Sequence, residues 1–180
     1  MRASLASLLI VCFLTVSAWA GAAEDDTIGL FESFCLEQAS PQDDIPHMAA
    51  TIGMQELQGP EFDRLLLPAK GRLWGGVLPS GKFILMLTDR DICSVQSIDG
   101  VPSEVQVLLE KSPGIKMVRA DLNGSQSEKH FVLKHLVNGD GQPSRFVVSL
   151  ITSTLQTVSG AKLVAISERA FKKIGATFPE

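Results

Sequence analysis

Apolar residues between Arg72 and Ile98 come in three short runs, Leu73 to Leu78, Phe83 to Leu87 and Ile92 to Val95. Pro79, Ser80 and Gly81 separate the first two, and Asp89, Arg90 and Asp91 separate the last two. Short runs punctuated by turn residues predict consecutive antiparallel strands, here a three-stranded meander. At period two the middle run puts Phe83, Leu85 and Leu87 on one face and Ile84 and Met86 on the other. Neither face is plainly polar, which predicts a central strand.

The pattern changes on either side of the meander. Upstream, Ile28, Phe31 and Cys35 recur at helical spacing, with Phe34 widening the stripe and Thr27, after Asp25 and Asp26, as candidate cap. Ser40 and Pro41 break this helix, and Asp43 and Asp44 precede a second helix over Pro46 to Ile52 that Gly53 ends. Met54 to Lys70 lacks a smooth stripe and is interrupted by Pro60 and Pro68, so it reads as an irregular crossover. Downstream, Pro102 opens a third helix whose apolar face is Val105, Leu108 and Leu109, closed by Ser112, Pro113 and Gly114. Four strands follow, from Ile115, over His130 to Val137, over Arg145 to Thr152 and over Leu163 to Ile166, with a short terminal helix over Glu168 to Lys173. The expected fold is α+β, a mainly antiparallel sheet with the N-terminal helices and one inserted helix on one face. Phe31, Trp74, Phe83, Leu85, Val95, Leu108, Phe131 and Val148 are its expected core.

Met1 and Arg2, an apolar run from Leu5 to about Val16, and Ala18-Trp19-Ala20 have the order of a secretory signal peptide. The run is shorter than the roughly 20 apolar residues a spanning helix needs, and no basic stop-transfer cluster follows. Residues 1–20 are therefore expected to be removed together with Cys12, leaving 21–180 as a single domain with no membrane span. The chain carries 16 basic and 20 acidic side chains, and the absence of a basic stripe points away from nucleic acid.

Phe31 followed at four positions by Cys35, then a distant strand carrying Cys93, Ser94 and Val95 with a helix soon after, resembles small exported proteobacterial proteins of unassigned function. The resemblance implies a periplasmic or secreted location and one disulfide, and it brings no catalytic residues. In an oxidising compartment the two cysteines that survive leader removal have one possible partner each, so Cys35 is expected to bond Cys93. A reactive thiol would want a basic neighbour or a Cys-x-x-Cys pair, and a zinc set would want more ligands. Neither pattern is present in the sequence.

Candidate chemistry is sparse. His130 and His135 are five apart, on opposite faces of a strand, and His47 falls on the second helix. Each could be a general base only with a partner supplied by the fold; Ser125 and Ser127 lie close in sequence to His130, and Ser125 or Asp121 is a candidate partner. No Gly-x-Ser-x-Gly elbow, His-Glu-x-x-His helix or phosphate-cradling glycine loop occurs. Asn123-Gly124-Ser125 fits a glycosylation acceptor, which matters only in a eukaryotic secretory route.

Asp89, Arg90 and Asp91 form the most conspicuous charged turn. It reads either as a solvated hairpin or as a recognition tip in which Arg90 grips a carboxylate or phosphate. The functional expectation is an exported accessory or binding module with an unknown protein partner, no cofactor and no metal. The alternative is a small periplasmic hydrolase-like enzyme built on a histidine with Ser or Asp. Nothing in the sequence speaks to oligomeric state.

Overall fold

A computed structural model describes residues 21–36, 44–123, 126–136, 143–153, 160–173 and 177–179. The leader over 1–20, the Ser40-Pro41 break, Ser125 and the turn over 138–141 lie outside them.

The helices are α1 (Ala22–Phe31), α2 (Ile45–Thr51), α3 (Pro60–Leu66), α4 (Pro102–Lys111) and α5 (Glu168–Lys173), and α1 runs into a π-helical turn over Glu32–Leu36. The strands are β1 (Gln55–Leu57), β2 (Gly71–Leu78), β3 (Gly81–Thr88), β4 (Ile92–Ser97), β5 (Ile115–Asn123), β6 (Gln126–Leu136), β7 (Pro143–Ser153) and β8 (Ala161–Ser167). They form one antiparallel sheet in the order β1-β2-β3-β4-β8-β7-β6-β5. The chain lays down β1 to β4 side by side, crosses through α4 to the far edge, and returns strand by strand until β8 closes on β4. This is the α+β architecture that the alternating runs predict.

Register explains the two faces. Phe83, Leu85, Val95, Leu163, Val148, Leu150 and Phe131 fall on one face and are almost wholly buried under the helices. From the helical layer Phe31, Phe34, Leu36, Ala49, Val105 and Leu109 complete this core. Trp74 and Phe131 alone bury on the order of 150–250 Å² each, so this face supplies most of the hydrophobic stabilisation. Seven of the eight expected core residues are buried there. Leu108 is only half-buried, because Val105 and Leu109, one turn apart, take the inward stripe of α4.

The opposite face carries half-buried Ile84, Met86, Gln96 and Lys162 among buried Ser94, Val164 and Ser149. Its far end bears Arg145, whose guanidinium stacks over Phe178 and donates to the Pro179 carbonyl, so the C-terminal tail lies there.

Two expectations fail locally. The first helix begins at Ala22, not at the Asp25-Asp26 pair, and Thr27 is interior, its hydroxyl donating to the Ala23 carbonyl at 2.5 Å. The reason is tertiary. Glu24 turns inward and its Oε1 accepts the Val101 backbone N–H at 2.7 Å, so the first turn of α1 anchors the start of α4. The supposed crossover over Met54 to Lys70 contains β1 and α3. Helix α3 has no buried residue, which is why it shows no stripe, and β1 is only three residues long. Arg72 grips Glu56 through two bonds of 2.7 and 2.6 Å and holds its carboxyl below the usual range, fastening β1 to β2.

Candidate functional site

The π-helical turn has a consequence for the helical layer. Its wider winding directs Phe34, Cys35 and Leu36 inward in succession. Cys35 meets Cys93 of β4 in a disulfide with a Cα to Cα distance of 5.4 Å and a sequence separation of 58. The bond expected from the cysteine count is therefore present, and it ties the end of the first helix to the third strand of the meander.

Beside this anchor, α1 with its π turn and α2 diverge around a cleft of ≈ 560 Å³. Leu30, Phe34, Met48, Ile52 and Leu78 give it an apolar lining. Asp26, Ser33, His47 and Thr51 stand among the described lining residues as its polar groups, and these described residues include no lysine or arginine. The Ser80 hydroxyl, from the turn joining β2 to β3, donates to Asp26 Oδ2 and fixes that carboxylate. A volume of this size, with mostly apolar walls and few polar groups, is typical of sites that take small organic ligands.

Gly29 lines the same cleft. It occupies the interior of α1, where glycine costs roughly 0.5–1 kcal/mol relative to alanine. A Cβ placed there would meet nothing within 4 Å, so packing does not require the glycine.

The Asp89-Arg90-Asp91 turn lies at the other end of β3 from Leu78 and Pro79, roughly 23 Å away by strand rise. Asp91 takes the left-handed conformation at φ 58, which aspartate tolerates better than most residues. The Thr88 hydroxyl accepts the Arg90 and Ile92 N–H groups at 3.3 and 3.2 Å. Asp89 accepts the Lys70 N–H at 3.2 Å, and Asp91 faces Arg169 at 3.5 Å. The two carboxylates are thus engaged by the chain itself, while Arg90 is exposed.

The histidines are placed separately. Exposed His47 lines the cleft from α2, and His130 and His135 occupy positions of opposite parity on β6. The side chains of Asp121, Ser125 and His135 lie outside the described ones. His130 instead meets Ser149 directly across from it on β7, with Nδ1 2.9 Å from the hydroxyl and 3.8 Å from Glu128 Oε1. Both oxygens address the same ring nitrogen. A Ser-His-acid relay uses the two nitrogens in series, one toward the nucleophile and one toward the acid. Ser149 is also 5% exposed, in the middle of a strand.

Among the described residues no group of three or more His, Cys, Asp or Glu side chains is arranged to hold a metal. Lys162 sits on the face opposite the helices between Gln96 and Ile151, and burial lowers its ammonium pKa below the usual lysine value.

Sequence reasoning found the disulfide partners and placed His47 and Met48 on a helix, but it missed the cleft. Leu30, Met48 and Leu78 lie in three separate elements, and only the docking of α2 beside the π turn brings them together. The His130–Ser149 contact was also missed, since it depends on the β6–β7 register. That register was in principle accessible from the alternation of the two runs.

Together these features define a disulfide-linked, single-sheet α+β protein with an apolar cleft in its helical layer. The chain matches no family model, no curated protein and no solved structure. Among the described residues, no helix is long and apolar enough to cross a membrane.

Proposed function

We propose that this protein is an exported binding module of the cell envelope or extracellular space, and that the cleft between α1 and α2 is where it takes an apolar ligand or the apolar part of one. The observation that carries the reading is the ≈ 560 Å³ apolar cleft set against the Cys35–Cys93 bond. A wall pinned covalently to the sheet keeps its shape without a large ordering cost on binding. The facing wall, α2, presents Met48, whose flexible thioether adapts to ligands of varied outline. The leader pattern over residues 1–20 and the cross-link support export.

The test uses the mature chain, residues 21–180, titrated with the neutral fluorophore N-phenyl-1-naphthylamine. Saturable binding at one site is expected, and Gly29→Leu, which grows a side chain into the cleft, should weaken it at least tenfold, a loss of about 1.4 kcal/mol. Binding that is absent, or indifferent to Gly29→Leu, defeats the cleft reading. Intact mass of the exported form tests the compartment, because a product that retains Met1 to Ala20 contradicts cleavage.

A further inference from the structure

We propose that the ligand of the α1–α2 cleft is a small amphiphilic cation, an apolar chain carrying an ammonium or similar positive group. This inference rests on the cleft being the binding site. Three observations carry it. The floor is apolar, from Leu30 and Phe34 on one side through Met48 and Ile52 on the other, and suits a hydrocarbon chain. Among the described lining residues Asp26 is the carboxylate, it is exposed to the approaching ligand, and no lysine or arginine among them offsets it. The Ser80 hydroxyl already holds Asp26 Oδ2, so the carboxylate is oriented before any ligand arrives.

Gly29 adds a steric argument. It lies three residues along α1 from Asp26, on the same side of the helix, and the space where its Cβ would stand is open. The fold gains nothing from glycine at this helical position, whereas a chain running from the floor toward Asp26 gains room beside it. A carboxylate at the mouth of an apolar cleft discriminates by charge, attracting a cationic head and repelling an anionic one. The cleft's volume fits a small molecule, and its walls are short, α2 having seven residues, which argues against a long docked helix.

The experiment compares three ten-carbon probes below their micellar concentrations by calorimetry on the mature chain: decyltrimethylammonium, decanoate and neutral decyl maltoside. The cation is expected to bind about tenfold more tightly than decanoate, with the preference shrinking as salt is raised. Asp26→Asn should abolish that preference while leaving the maltoside within about twofold of its original affinity. Ser80→Ala keeps the charge but frees it, and should reduce the preference partway. Equal binding of the three probes, tighter binding of decanoate, or a cation preference that survives Asp26→Asn overturns the head-group inference and leaves the cleft reading standing. Failure of all three probes to bind saturably removes the cleft reading and this inference together.

Discussion

The sheet is two four-stranded meanders joined at one seam, and the two are stabilised differently. In the first, β1 to β4 are 3, 8, 8 and 6 residues long. In the second, β5 to β8 are 9, 11, 11 and 7. The long hairpin of β6 and β7 pairs in unbroken register over its whole length, so its stability comes largely from its cross-strand pairs. The first meander has less ladder and carries the layer of α1 and α2, whose own attachment is reinforced by Cys35–Cys93. The half with the cross-link is also the half with the cleft. A cavity gives up packing around its walls, and a covalent tie to β4 holds one wall in place where contacts are fewer.

If the halves form one cooperative unit, the seam between β4 and β8 is its weak point for mutation. Gly160, just before β8, has φ +102, and a Cβ there would stand 1.9 Å from the Ser97 carbonyl oxygen at the end of β4. Gly160→Ala should cost about 4 kcal/mol, from backbone strain and a clash with main chain that cannot rotate away. Denaturant unfolding followed by both Trp74 fluorescence and far-ultraviolet dichroism checks this. Coincident transitions keep the single unit, whereas two separated transitions would show that the meanders fold independently.

Removing the cross-link tests the asymmetry directly. Cys35→Ser with Cys93→Ser should lower stability by roughly 3 kcal/mol. Hydrogen exchange should accelerate most in α1, the π turn and β4, and least in β6 and β7. Uniform acceleration would erase the distinction drawn between the halves.

Lys162, on β8 at the seam, should act in the opposite direction. Because burial lowers its pKa, the unfolded chain binds this proton more tightly than the folded one. Stability therefore rises with pH in the window between the lowered folded value and the usual lysine value, and the penalty is fully present at neutral pH. Lys162→Met should accordingly stabilise the protein at pH 7 by up to about 1 kcal/mol and flatten that alkaline rise, as thermal melts at pH 7 and pH 10 would show.

A smaller gain is expected at the cleft. Gly29→Ala should raise stability by about 0.5–1 kcal/mol, since the helix prefers alanine and the added methyl meets nothing. A loss of stability there would mean that the glycine serves the fold. The smallest effect belongs to the turn between β3 and β4. Arg90→Ala, at an exposed position, should change stability by less than about 0.5 kcal/mol and leave probe binding in the cleft unaltered. A large binding defect would instead identify the charged turn as a recognition tip.

The sequence by itself determined the strands from Arg72 to Ile98, the helix opened by Pro102 and the terminal helix over Glu168 to Lys173, because periodicity, proline and turn chemistry are local properties. Cysteine arithmetic likewise left Cys35 and Cys93 as each other's partners. Only the tertiary structure decided what depends on distant residues. The start of α1 was hidden because Glu24 acts on Val101, and α3 was hidden because it buries nothing. The His130–Ser149 contact needed the β6–β7 register, and the cleft needed α1, α2 and the turn after Leu78 to meet in space. Apolar residues that line a cavity carry the same alternation and helical spacing as those that fill a core. Whether Leu30 and Met48 close on each other or stand apart is a property of how two helices dock, and no local pattern encodes it.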